Sequence, residues 1–212
     1  TAGAYLPDVD EEVKETLKAY ILTPQTALHL EALESFVDIR NVKRSIGEQW
    51  LVTSADASTH IPDVYERVVG EVPVTTLTSR QYCVVLDPVS QSGRNQLGKR
   101  ELRKGETSFF LNPGERLEGG KPQNVYVLDS EEALLLCARE SFQEGKDVRK
   151  PGDRWIIFGP TDYVPPVQVE VLEKRRNIPL DVNEGIYVRD VKTGKVRAVT
   201  GQSYMLSSYE EL

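Results

Sequence analysis

The feature that most limits what this chain can fold into is its internal periodicity. Leu22-Thr23, Leu77-Thr78, Leu128-Asp129 and Leu180-Asp181 recur at spacings of 55, 51 and 52 residues. Six residues after each leucine a short alternating run begins, at Leu28, Cys83, Leu134 and Ile186. In the tightest internal match, Ala-Leu-x-Leu-x-Ala-x-Glu-Ser-Phe runs from Ala27 to Phe36 and returns from Ala133 to Phe142. A second phrase joins a glycine and a polar residue to a strand-like run. It stands at Gly47-Glu48-Gln49-Trp50, Gly105-Glu106-Thr107-Ser108, Gly152-Asp153-Arg154-Trp155 and Gly201-Gln202-Ser203-Tyr204. A third stands at Tyr5-Leu6-Pro7, His60-Ile61-Pro62 and Tyr163-Val164-Pro165, each followed by valines. A chain that repeats its phrases at near-constant spacing builds an array of like modules.

These columns divide the chain into four units of roughly fifty residues, at 1–53, 54–111, 112–158 and 159–212. Valine, isoleucine, threonine and tyrosine dominate short alternating runs, so most segments read as strand. Asp190-Val191-Lys192-Thr193-Gly194-Lys195 carries turn chemistry and predicts a hairpin. Pro7, Pro62 and Pro165 lack an amide hydrogen and suit strand edges or the start of a unit. Helix formers occur over 11–18 and 131–140, but the β-branched copy at Ile186-Tyr187-Val188 turns the second of these back to strand. Units this small bury too little surface alone and gain it by stacking. Trp50 and Trp155 share a slot and anchor two of the small cores. The fold class expected is therefore all-β, a tandem array of small antiparallel sheets drawn out as an elongated rod.

The candidate chemistry is thin. The net charge of −7 argues against a nucleic-acid groove. Cys83 and Cys137 lie in apolar runs and read as buried thiols of a reducing compartment. No apolar run approaches the length needed to cross a bilayer, no signal peptide is visible, and the start at Thr1 suggests a piece of something longer. The chain is expected to be intracellular and soluble. The loop 93–100 matches Gly-x4-Gly-Lys, but Arg100 stands where a phosphate-binding loop needs serine or threonine, and a strand follows instead of a helix. Asp8, Asp10, Glu11 and Glu12 crowd together without the spaced loop of a calcium site. His29 and His60 occupy columns filled elsewhere by leucine or tyrosine, which makes them packing positions. Lys99, Arg100, Arg103 and Lys104 form a solvated basic loop face. No catalytic, cofactor-binding or metal residue is assigned, no cofactor is expected, and the chain reads as a non-enzyme.

The longest phrases carry a family resemblance. Gly-Asp-x-Trp-Ile-Ile-x-Gly-Pro-x-x-Tyr-Val-Pro at 152–165, Val-Glu-Val at 169–171 and Asn-Glu-Gly-Ile-Tyr-Val-Arg-Asp-Val-Lys-Thr-Gly-Lys-Val-Arg-Ala-Val at 183–199 resemble the repeats of the major vault protein family. Lys104-Gly105-Glu106 with Pro113-Gly114-Glu115-Arg116-Leu117 is similar to one particular repeat of it. The resemblance covers the whole chain and places it in the middle of the family's N-terminal repeat region. Ser108 in place of the slot's tryptophan and a third unit without the Tyr-x-Pro step are the departures.

The resemblance implies rods standing side by side as staves of a hollow ribonucleoprotein shell, cytoplasmic with a minor nuclear share. The partners it implies are other copies of the chain, a vault poly(ADP-ribose) polymerase and a telomerase-associated protein. Vault RNA would be met only through other parts of the particle, and no membrane is involved. In such a wall, positions alternating away from the core, such as Glu31, Leu86, Cys137 and Arg189, face lateral or inner surfaces. The alternative reading is a closed four-bladed β-propeller that binds a ligand or protein, since four strand-rich units permit that arithmetic. A nucleotide-dependent enzyme would rest on the loop 93–100 alone.

Overall fold

Each alternating run forms the middle strand of a small antiparallel sheet, because alternation lets one face bury while the other carries polar residues. The computed structural model describes residues 3, 5–14, 16–90, 93–145 and 147–212. Thr26–Ala32 lies between Gln49–Val52 and Glu66–Pro73, and Glu132–Ala138 lies between Arg154–Phe158 and Val169–Arg176. Gln81–Leu86 pairs with Arg100–Lys104. Gly185–Asp190 is flanked by Val196–Thr200 and the short Glu210–Glu211. The one helical element among the described residues is a 3-10 turn at Glu118–Gly120, so the chain is all-β.

The chain separates into two compact units. One comprises Thr1–Thr76, Asp87–Gln96 and Thr107–Arg116, and the other Leu77–Leu86, Leu97–Glu106 and Leu117–Leu212. The core of the first gathers Leu22, Leu28, Leu30, Ala32, Trp50 and Val52, with Phe36 and Val68 packed against it. Within the second, Leu128, Leu134, Leu136, Ala138, Trp155 and Val169 make a near-copy, with Phe142 and Val171 in attendance. Trp50 stands opposite Leu30 and Trp155 opposite Leu136, so the two tryptophans do occupy one slot. Each has an arginine over its ring, Arg44 at 4.4 Å and Arg149 at 4.6 Å, and a phenylalanine at its edge, Phe36 at 6.4 Å and Phe142 at 6.1 Å.

The other two copies of the glycine phrase do not reach that slot. Counting two residues on from Cys83 and Ile186 gives Val85 and Val188, which face Glu101 and Arg197. Ser108, expected in the tryptophan's place, lies on Thr107–Phe109 and bonds the Thr76 hydroxyl at 3.2 Å. Tyr204 exchanges backbone hydrogen bonds with Ile178 at 2.8 and 2.9 Å. The glycine phrase alone does not set strand register, and the chain holds two kinds of sheet, one with a tryptophan and one with a charged residue at this place.

Other expectations meet the structure directly. The run over 131–140 is the strand Glu132–Ala138. Over 11–18 the described residues form no helix; Glu11 closes a turn on Asp8 (amide to carbonyl, 3.0 Å), and Glu15 lies outside the described residues. The hairpin at 190–195 is present: Asp190 N–H bonds Lys195 O at 2.9 Å, and Gly194 takes φ +69° at the turn, a region open to glycine. Pro7, Pro62 and Pro165 all lie outside strands. Glu31, Leu86 and Cys137 are half-buried and Arg189 exposed, so none of the four is sealed in a core. No described helix is long and apolar enough to cross a membrane.

Candidate functional site

The recurring polar device of this chain is a turn closed by a carboxylate. The amide of Asp8 donates to Glu11 Oε2 (3.1 Å), that of Asp63 to Glu66 (3.1 Å), that of Asn112 to Glu115 (2.9 Å) and that of Ser207 to Glu210 (3.0 Å). In each turn the amide of the glutamate returns to the first residue's carbonyl, at 3.0, 3.0, 2.9 and 3.1 Å. This is the reciprocal logic of a capping box applied to a β-turn. The same closure occurs at Ser45/Glu48, Thr53/Asp56, Asp129/Glu132, Lys150/Asp153 and Asp181/Glu184. Much of the chain's acidity is therefore local architecture.

One position breaks the pattern and explains itself. Pro166 and Val169 stand where the other turns have an amide donor and a glutamate, and only the Val169 N–H to Pro166 O bond remains, at 2.9 Å. Proline offers no amide, so a carboxylate there would lack its main partner. Val169 instead joins the core.

In three of these four turns a second partner sits six residues before the glutamate. Tyr5 Oη donates to Glu11, His60 Nε2 to Glu66 at 2.7 Å, and Tyr204 Oη to Glu210 at 2.6 Å. His60 and Glu66 are both buried. His60 is thus more than a packing residue, since it satisfies a buried carboxylate through a hydrogen bond. The signal lies in the sequence as Tyr/His-x5-Glu, at Tyr5/Glu11, His60/Glu66 and Tyr204/Glu210, where each glutamate looks like an ordinary surface charge. Tyr163, in the same column but facing Val169, has a buried hydroxyl without a hydrogen-bond partner among the described residues. Burial, followed by Glu144 and Tyr82, pushes it up to about 12. His29 is half-buried and bonds Gln49 Oε1 at 3.2 Å. Its column is not uniformly a packing slot either, because Tyr187 is 75% exposed.

The electrostatics follow from these contacts. Burial works against the Glu210 carboxylate, but Arg197, Tyr204 and the Ser207 amide outweigh it and hold the group at about 2. At Asp38 burial is likewise overcome by the amides of Val42 and Arg40 and by Arg44, so its pKa falls. Burial pushes the Cys83 thiol up, which leaves it a poor nucleophile. Two members of the basic cluster are paired, Arg100 with Glu118 at 3.7 Å and Arg103 with Glu101 at 2.8 Å. Arg100–Lys104 is a strand, so the loop 93–100 meets no helix N-terminus. Among the described residues, no cluster of three metal-ligating side chains occurs, near Asp8 or elsewhere.

In the first unit an open cavity of about 1180 Å³ runs beside Gln49, Trp50 and Leu51, with Val89, Asn95 and Gly114 among its other walls. Gln49–Val52 is the edge of its sheet.

Fold and turns together define a tandem β-repeat protein of two alternating sheet types. Three family models, each described as Major Vault Protein repeat domain, match residues 20–63 and 126–166, residues 74–120, and residues 177–212. The chain belongs to the major vault protein repeat family. One model takes both tryptophan-bearing repeats and two others take the rest, in step with the slot difference above. The chain is 64% identical over 211 residues to major vault protein alpha of Dictyostelium discoideum, covering 99% of this chain and 25% of that protein. It is 57% identical over 213 residues to major vault protein of Strongylocentrotus purpuratus (99% and 25%), and 56% over 216 residues to that of Homo sapiens (100% and 24%). It spans about a quarter of the length of these relatives. The match gives the propeller alternative no support.

Proposed function

We propose that this chain is a wall segment of a large shell built from many copies of the same protein, and that its work is mechanical. The observation that supports this reading is the run of repeat-domain matches between residues 20 and 212. Small sheets joined in series form an extended rod, and identical rods meet through heterologous side contacts that close into a ring. The segment performs no chemistry of its own. Its partners are neighbouring copies in the wall, with the vault poly(ADP-ribose) polymerase and the telomerase-associated protein as contents of the particle. Vault RNA is held elsewhere in the particle, and the compartment is the cytoplasm with a minor nuclear share.

Two measurements test the proposal. A compact globule of this length has a radius of gyration near roughly 17 Å, and X-ray scattering from the purified chain is expected to give a clearly larger value. In the second, this chain replaces the matching quarter of the Dictyostelium relative, and negative-stain imaging is expected to find closed particles. Open or absent particles from a soluble, folded chimera would overturn the wall reading, and a globular radius would overturn the rod.

A further inference from the structure

A joint between an edge strand and a closing turn occurs in the second unit, and the first unit carries the matching positions without it. In the second unit Arg154 N–H donates to Tyr209 Oη at 3.1 Å, and Lys192 Nζ lies 3.4 Å from the centre of that ring. Register identifies the matching positions in the first unit. Arg154 and Gln49 each precede the slot tryptophan. Tyr209 and Gly114 each precede a turn-closing glutamate. Lys192 and Val89 each lie six residues beyond the start of a middle-strand run, at Ile186 and Cys83.

The first unit therefore keeps the edge and lacks both the ring and the cation over it. Gln49, Val89 and Gly114 all line the cavity. The two edges begin alike, with Ala32 N–H on Glu48 O and Ala138 N–H on Asp153 O, each 2.9 Å. Alternation along the ladder then turns the Gln49 amide outward, as it does that of Arg154. Among the described residues no acceptor meets Gln49 N–H. Gly114 cannot fill the space itself: its φ is +84°, and a Cβ there would come 2.7 Å from Asn95 Nδ2. Arg94, exposed on the cavity wall, has no ion pair among the described residues.

We propose that this cavity receives a tyrosine side chain from a partner protein, presented from a turn or loop to the Gln49–Val52 edge as Tyr209 is to Arg154. The phenol oxygen accepts from Gln49 N–H, as Tyr209 does from Arg154. A carboxylate beside the tyrosine meets Arg94, the charge left unmatched on the wall.

The test is a titration of the 15N-labelled chain with the peptide acetyl-Thr-Glu-Tyr-Val-Thr-amide. Amide shifts are expected at Gln49, Leu51 and Gly114, with one peptide bound per chain. Phenylalanine for the peptide's tyrosine is expected to weaken binding about 3- to 10-fold, the worth of one hydrogen bond. Arg94→Ala is expected to weaken it about 2- to 5-fold, as for an exposed ion pair. Tyr209→Ala empties the joint of the second unit, and two peptides should then bind per chain. Shifts that are absent or centred away from Gln49 would overturn the proposal. So would equal affinity for the phenylalanine peptide, or a stoichiometry that stays at one in folded Tyr209→Ala.

Discussion

Trp50 and Trp155 hold their sheets by area and by stacking, each buried between an arginine and a phenylalanine. Their indole N–H groups have no hydrogen-bond partner among the described residues, so little of their contribution is polar. Replacing either by alanine is expected to cost about 3–5 kcal/mol in chemical denaturation. Phenylalanine should cost clearly less, because it keeps the ring and removes an unsatisfied donor. His60 makes the opposite case, since its value lies in one hydrogen bond. His60→Ala leaves Glu66 buried with a partner missing and should lose about 2–4 kcal/mol. His60→Tyr supplies the hydroxyl that Tyr204 uses toward Glu210 and should stay within about 1 kcal/mol of the parent. The tryptophans were legible in the sequence because a large apolar residue at a repeated position has few other uses. The histidine was not, because its partner stands six residues away and looks like any surface glutamate.

At the scale of the element, the closing turn is the unit that varies. Val169→Glu places a carboxylate in the core opposite a proline without an amide, and is expected to destabilise by about 2–3 kcal/mol. Adding Pro166→Ser restores the donor, and the double variant should recover about 1 kcal/mol of that loss, read as a coupling in a double-mutant cycle. The turn at Ser207–Glu210 fixes an acid dependence. The Glu210 carboxylate is held at about 2 against an ordinary 4.5, so the stabilisation it gives is complete above about 4.5 and is lost as the pH falls from there toward 2. Arg197 is more than half exposed and its attraction is screened, so the expected loss is about 1–2 kcal/mol. Glu210→Gln should flatten that part of the stability profile. Middle strands were legible from alternation and composition. Sheet register was not, because Gly105 and Gly201 open phrases of the right composition that pair elsewhere.

For the molecule as a whole, the repeat spacing carried the architecture, while the alternation of two sheet types emerged only from which residue faces Val85 or Val188. The acidic balance is the composition feature most easily misread. Nine of the 33 acidic residues close turns onto backbone amides of their own segment. Such contacts span one hydrogen bond, far inside the distance over which dissolved ions screen charge. Raising the ionic strength tenfold should therefore leave the melting temperature nearly unchanged. Acidification protonates Glu48, Asp56, Glu132 and Glu210, all held below their ordinary range, and should lower it steadily below about pH 4.5. A protein that tolerates brine and yields to dilute acid behaves as these turns require, and calorimetry across the two titrations would tell them apart.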